Sequence, residues 1–271
     1  MFSDAQQFPV VNAFAKGGPH EREMVRDAIR KLAPDLILYG GDAVGFGTYK
    51  PFWEEFSRDY RGFTLYPVIG NHDLYGSDET ALDYYFSLFP HLDHHRWYDV
   101  TFGPVLFVLL DSNRGNMTDA EWDAQSAWLE QELARADASP AVRMVALMSH
   151  HPPLSVSSGG GIELVRTTFY ERARQHAKFC LYLSGHHHAY QHIVDGKRQV
   201  LVAGGGGGPL FFSAGTPLPG DARLVKSAVA QHVVRGVLGE NDLRLEVYAF
   251  GADNAWALFD VFDIPFGSCA A

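Results

Sequence analysis

Polar residues that can bind metal ions or transfer protons follow several apolar segments of this 271-residue sequence. The tetrapeptide Gly70-Asn71-His72-Asp73 comes directly after the apolar run Phe63–Ile69 and combines an amide, an imidazole and a carboxylate. Similar blocks end other apolar runs, namely Gly40-Gly41-Asp42, Ser149-His150-His151 and Ser184-Gly185-His186-His187-His188. Such side chains can ligate divalent cations or act as general acids and bases. Their recurrence predicts a single site assembled from distant parts of the chain.

The segments between these blocks alternate between strand and helix patterns, and strand patterns dominate the C-terminal part. Apolar residues recur at helical spacing in Glu21–Leu32 and in Ile162–His176, and Thr118 and Glu121 have the spacing of a capping box. This order predicts an α/β fold with two packed mixed β-sheets flanked by helices, a four-layer α/β/β/α sandwich. Because ligands gather beyond the carboxyl ends of strands in open α/β sheets, we expect the polar blocks to converge there.

Composition indicates a soluble globular protein, with 46% hydrophobic and 20% charged residues. We expect a single domain over residues 1–271, with the polar blocks in 1–208 and, in 209–271, mostly strands that complete the second sheet. The formal net charge of −10 argues against a nucleic-acid-binding surface. No apolar run reaches the roughly 20 residues of a membrane span, and the chain as given carries no signal-peptide pattern. The cellular compartment is left open, and an exported precursor trimmed upstream is one of the alternatives.

Two other sequence features are expected to be structural. Cys180 and Cys269 are the only cysteines, so we predict no disulfide framework and a core position for Cys180. The run Gly204–Gly208 lacks the Lys and Ser/Thr of a phosphate-binding P-loop and is predicted to form a tight turn.

In order and spacing, the polar blocks resemble the calcineurin-like metallophosphoesterase family, from the N-terminus to about Gly208. The matching blocks are Asp4-x-Gln6, Gly41-Asp42, Gly70-Asn71-His72-Asp73, His150-x-Pro152 and Gly185-His186-His187-His188. The first block departs from the family pattern, because Gln6 stands where the family usually has His. The family's ligand precedes a proline by two residues, which selects His150 over His151.

The resemblance implies a dinuclear metal centre with two sets of ligands that share Asp42. One metal would be bound by Asp4, Asp42, His188 and Gln6, and the other by Asp42, Asn71, His150 and His186. His72 would be the catalytic acid and Asp73 would orient its imidazole. The two ions would be divalent or trivalent manganese, iron, magnesium or zinc, and the amide of Gln6 favours manganese, magnesium or iron over zinc at the first site.

The resemblance further implies a metal-dependent phosphoesterase that hydrolyses P–O bonds by attack of a hydroxide bridging the two metals. Phosphodiesters or diphosphate-linked small molecules are the expected substrates, and the oligomeric state is left open. A phosphomonoesterase or protein phosphatase of the same fold is one alternative, and a catalytically weak one-metal binding module is another. Gly45 stands three residues after Asp42, where purple acid phosphatases place a tyrosine, so a purple iron site is not expected.

Overall fold

A seven-stranded mixed sheet forms the centre of the computed structural model, which describes residues 1–7, 17–211, 215–251 and 255–269. In spatial order its strands are β3 (Tyr98–Phe102), β4 (Val105–Leu110), β5 (Met144–Ser149), β6 (Phe179–Ser184), β8 (Arg198–Ala203), β7 (Tyr190–Asp195) and β9 (Arg223–Ala228). Strands β4, β5, β6 and β8 are mutually parallel. Their carboxyl ends therefore lie along one edge of the sheet. Every residue of β4, β5 and β6 is buried, as expected for parallel strands covered on both faces.

Two smaller sheets form the second β layer. Strands β1 (Ile37–Tyr39) and β2 (Leu65–Pro67) pair in parallel, while β10 (His232–Leu238), β11 (Asp242–Phe250) and β12 (Trp256–Pro265) form an antiparallel sheet. The first two residues connect these sheets. Phe2 N donates to the Leu38 carbonyl at 3.3 Å, and Val234 N donates to the Met1 carbonyl at 3.0 Å.

Helices cover both outer faces. Side chains of α1 (Pro19–Leu32), α2 (Lys50–Asp59) and α3 (Asp78–Leu88) share a core cluster with residues of β1 and β2. A second cluster lies between the two β layers. A third joins the large sheet to α4 (Asp119–Ala138), α5 (Glu163–Val165), α6 (Glu171–Ala173) and the π-helical turn Arg166–Tyr170. The four-layer α/β fold is thus confirmed.

Local sequence signals explain several of these elements. Thr118 Oγ1 accepts a hydrogen bond from Glu121 N at 3.2 Å and Thr118 N donates to Glu121 Oε2 at 2.7 Å, which confirms the capping box. The predicted helix over Ile162–His176 is instead interrupted by the π-helical turn. Strands β7 and β9 were not predicted. The interior strand β7 carries buried polar residues and β9 is an exposed edge strand, so neither has an apolar run.

The core position of Cys180 is confirmed, but the prediction that the cysteines form no disulfide was wrong. Cys180 on β6 and Cys269 beyond β12 are joined by a disulfide, with Cα atoms 5.5 Å apart. The two cysteines are 89 positions apart, and sequence spacing alone does not reveal that the packing of the two β layers brings them together. The disulfide ties the C-terminal segment to the central sheet.

Among the described residues, no helix is long and apolar enough to cross a bilayer.

Candidate metal centre

The polar blocks lie together at the carboxyl ends of strands from both β layers. Asp42 and the tetrapeptide Gly70-Asn71-His72-Asp73 follow β1 and β2, whereas His150 and His186 follow β5 and β6. Asp4 lies beside β1, where its backbone N–H donates to the Gly41 carbonyl at 3.0 Å. Short strands that end at one edge therefore position side chains from five parts of the sequence.

The first group of donor atoms is buried and contains two carboxylates. One ligand atom each from Asp4, Asp42 and His188 lie within 4.8 Å of one another. His188 Nε2 is 3.4 Å from Asp4 Oδ1. The side-chain amide nitrogen of Gln6 lies 3.0 Å from Asp42 Oδ2 and 3.1 Å from His188 Nε2, so Gln6 belongs to the same group.

The second group lies next to the first and shares Asp42 with it. Asn71 Oδ1 is 3.1 Å from His150 Nε2 and 3.0 Å from His186 Nδ1. His150 Nε2 is 3.4 Å from Asp42 Oδ2, the oxygen that also contacts Gln6. A single carboxylate oxygen therefore lies between the two groups.

His151 also lies in the second group, although the spacing to Pro152 favoured His150 over His151 as the ligand. One ring nitrogen each of His150, His151 and His186 lie within 4.8 Å of one another. His151 Nδ1 is 2.8 Å from Ser112 Oγ, which fixes the orientation of the ring. The available sequence signal was the doubled histidine at the end of β5.

The donor arrangement fits metal ions by three observations. Ligands about 2.1 Å from an ion lie roughly 3.0–3.4 Å apart at octahedral or tetrahedral angles, which matches the spacings above. Gly40 and Pro209 carbonyls accept from Nδ1 of His150 and His188, as backbone carbonyls commonly do for metal-binding imidazoles. Finally, Gln6 Oε1 is buried and has no hydrogen-bond partner among the described residues; rotation of the amide by 180° would turn it toward the other donors.

The electrostatics of the centre also favour bound positive charge. Burial disfavours the charged imidazole of His150, but the Asp42 carboxylate outweighs this and raises the pKa of His150 to about 10. Burial, followed by the charge of His150, lowers the pKa of His151 to about 3 and lowers the pKa of His186 still further. Burial raises the pKa of Asp4. The Asp42 carboxylate thus stabilises positive charge beside it, while His151 and His186 stay in the neutral form that binds metals.

The backbone is strained at three residues of the centre. Asp4, Asp42 and His186 have φ angles of 61°, 58° and 69°, in the left-handed region. Each such residue costs about 1–3 kcal/mol, and residues of this kind cluster at functional sites. Next to them, Gly70 allows a close approach, because a Cβ there would lie 2.1 Å from Asp42 Oδ1.

The glycine run 204–208 packs against the segment that carries Asp4. Gly208 N donates to the Asp4 carbonyl at 2.8 Å, and a Cβ at Gly206 would lie 2.1 Å from the Ser3 carbonyl oxygen. The run therefore follows β8 as a close-packed wall of the first donor group.

His72 is attached to the centre through its backbone. Its N–H donates to Asp42 Oδ1 at 2.9 Å, and its ring Nδ1 is 3.2 Å from the Gly45 carbonyl oxygen. The ring also packs on Tyr75, with centroids 4.3 Å apart. Because a carbonyl only accepts, Nδ1 carries a proton and the ring would exchange protons through Nε2.

The structure gives Asp73 partners other than the imidazole it was expected to orient. Its Oδ2 accepts from the N–H groups of Asp42 and Gly70, both at 2.9 Å. Its Oδ1 accepts from Ala43 N at 2.8 Å and Val44 N at 3.2 Å. Burial, together with the charge of Asp42, raises the pKa of Asp73 to about 7. Asp73 thus joins the loops after β1 and β2.

Most of this chain matches a known protein family. Residues 2–190 match the model of the calcineurin-like phosphoesterase family. Among curated proteins, none matches at significant similarity.

Solved structures with the same fold include proteins of different roles. GAP50, described as the anchor in the inner membrane complex of Plasmodium, has a TM-score of 0.74 and 13% identity, over 98% of this chain and 87% of that one. Purple acid phosphatase PPD1 from yellow lupin (Lupinus luteus) seeds has a TM-score of 0.68 and 16% identity, over 97% of this chain and 52% of that one. A dimetal phosphatase from Danio rerio has a TM-score of 0.64 and 15% identity, over 98% of this chain and 97% of that one.

Proposed function

The chain belongs to the calcineurin-like phosphoesterase family, and we propose that it is a metal-dependent phosphoesterase acting on phosphodiesters or diphosphate-linked small molecules. The observation that most supports this proposal is the position of Asp42 Oδ2, 3.0 Å from Gln6 Nε2 and 3.4 Å from His150 Nε2. A carboxylate oxygen shared by two donor groups suits two ions about 3.5–4 Å apart.

Each donor group would hold one ion. Asp4, Asp42, His188 and the amide oxygen of Gln6 would bind the first, and Asp42, Asn71, His150 and His186 the second, with His151 as a further donor. When bound, such ions lower the pKa of water and offset the negative charge that develops on a phosphoryl group. The oxygen-rich first group favours manganese, magnesium or iron over zinc.

His72 would donate the proton that the leaving oxygen needs. The contact of ring Nδ1 with the Gly45 carbonyl supports this role, because it leaves Nε2 as the nitrogen that would transfer the proton. The ring is half-buried and its backbone N–H contacts the shared carboxylate, so any movement of Asp42 would move His72 as well. Asp73 contributes indirectly, by holding the backbone of Asp42 in its strained conformation.

The acidity of the chain favours small substrates over polyanions. A net charge of −10 disfavours nucleic acids and offers little general attraction to a phosphorylated partner. A small phosphodiester, in contrast, would need only the two bound metal ions as an attractive positive charge.

The proposal can be tested by measuring metal content and hydrolysis on the same preparation. The protein is stripped with EDTA, reloaded with Mn²⁺, and assayed on bis(4-nitrophenyl) phosphate and on 4-nitrophenyl phosphate, with the stripped protein as control. We expect two ions per chain and faster turnover of the diester, both lost on stripping.

The remaining outcomes separate the alternatives. A preference for the monoester would keep the phosphoesterase assignment but overturn the substrate class. One ion or none, without turnover, would overturn the enzymatic function and favour a binding module, a possibility to which the fold shared with the Plasmodium anchor draws attention.

A further inference from the structure

Exposed aromatic rings border both halves of the metal centre. Phe211 is 58% exposed, yet its ring stacks on the imidazole of His188 at 4.5 Å. Tyr75 is 42% exposed, and its hydroxyl accepts a hydrogen bond from Asn71 Nδ2 at 3.0 Å. One exposed ring thus contacts a proposed ligand of the first ion, and another contacts a proposed ligand of the second.

A third ring extends the border beside Tyr75. Phe46 is 47% exposed and meets Tyr75 edge to face, with centroids 6.3 Å apart. Tyr75 in turn packs on His72 at 4.3 Å. Phe46, Tyr75 and the proposed catalytic acid therefore form a continuous aromatic surface.

These rings do not contribute to the core. Within the described chain, Phe46, Tyr75 and Phe211 belong to none of the three core clusters and are not among the side chains packed against them. A single exposed aromatic residue needs no explanation, but three at one site indicate a binding surface.

We propose that Phe46, Tyr75 and Phe211 form an aromatic rim that binds a planar aromatic group of the phosphoester, such as an aryl group or a nucleobase. This inference rests on the proposed phosphoesterase function and narrows its substrate class. A phosphoryl group at the two ions places its ester groups within reach of rings that touch His188 and Asn71. Stacking of one aromatic group on such a ring should tighten binding by about tenfold or more.

The rim can be tested by binding, without relying on turnover. Phenylphosphonate and methylphosphonate carry the same anionic group and differ by the aromatic ring. Calorimetric titration of the Mn²⁺-loaded protein should give a dissociation constant at least about tenfold lower for phenylphosphonate, since tenfold corresponds to about 1.4 kcal/mol.

Substitutions of the rim residues test whether the rim causes the preference for phenylphosphonate. Phe211→Leu should reduce the preference for phenylphosphonate while leaving methylphosphonate binding within about twofold. Tyr75→Phe and Tyr75→Leu both remove the hydroxyl that accepts from Asn71, so their comparison isolates the ring: the Phe variant should retain the preference and the Leu variant should reduce it. Phe102→Leu is the matched control: Phe102 is 36% exposed but lies at the β3–β4 hairpin, at the opposite edge of the large sheet.

The possible failures are distinguishable. Equal affinity for the two phosphonates, or a preference unchanged in both Leu variants, overturns the rim while hydrolysis of the nitrophenyl diester still supports the phosphoesterase. Absence of binding by either phosphonate together with absence of turnover overturns both proposals.

Discussion

Replacing Asp42 by Asn should weaken the binding of both metal ions together. The substitution keeps the size of the side chain and an oxygen that can accept from His72 N, now 2.9 Å from Oδ1. It removes the negative charge and places an N–H₂ group where Oδ2 lies between Gln6 and His150. An amide nitrogen cannot ligate a cation, so neither donor group would remain complete.

The size of the effect follows from charge and distance. Two unit charges about 4 Å apart attract by about 4 kcal/mol at an effective dielectric constant of 20, and a divalent ion experiences at least this much. A loss of about 4 kcal/mol raises a dissociation constant on the order of a thousandfold. Because Asp42 Oδ2 contacts both donor groups, we expect a loss of this size for each ion.

The assay is equilibrium dialysis against Mn²⁺ followed by metal analysis, with thermal unfolding of the metal-free protein measured in parallel. Asp111→Asn provides the control. Asp111 is fully buried directly after β4 and pairs with Arg96 Nε at 2.8 Å, outside both donor groups. That variant should lower the melting temperature but retain two ions. Loss of only one ion in Asp42→Asn would refute the shared carboxylate, and retention of both would refute the site.

Four further changes test individual residues. His72→Ala should preserve metal content and lower kcat about a hundredfold or more; an unchanged kcat excludes it as the acid. Gln6→His should tighten zinc binding at the first site by about tenfold or more in a competition titration with a chelator, and an unchanged affinity would mean that Gln6 is not a ligand. Asp73→Asn leaves one side-chain oxygen for four backbone N–H donors. It should lower the free energy of unfolding, measured in urea, by about 2–4 kcal/mol and should weaken metal binding. A fall in kcat without these changes would instead favour a role for Asp73 in orienting His72. Burial lowers the pKa of His232 to about 4, whereas the ordinary pKa of 6.5 applies in the unfolded chain. As the pH falls from 6.5 to 4, the unfolded chain therefore binds a proton that the folded chain does not, and the free energy of unfolding decreases. His232→Asn should remove about 3 kcal/mol of this decrease, measured by denaturation at pH 7 and pH 4.

Many elements could be predicted because their signals are local. The capping box of Thr118 and Glu121, the apolar run of β4 and the order of the polar blocks each depend on a few neighbouring residues. Strand β7 was missed because its polar residues are satisfied by distant partners; His192, for instance, contacts Asp260 at 2.9 Å. No local pattern encodes such a contact.

The amino-acid sequence by itself determined which donors are present and in which order they follow the strands. Only the tertiary structure decided that one oxygen of Asp42 lies between both donor groups, that Asp73 accepts four backbone N–H groups, and that Cys180 meets Cys269. The physical reason is that these contacts, apart from the one between Gly70 and Asp73, join residues 29 to 108 positions apart, which the packing of two β layers brings within bonding distance. Residue type and spacing along the chain determine which donor groups are available. The packing of the two β layers determines which of their atoms lie close enough to form one site.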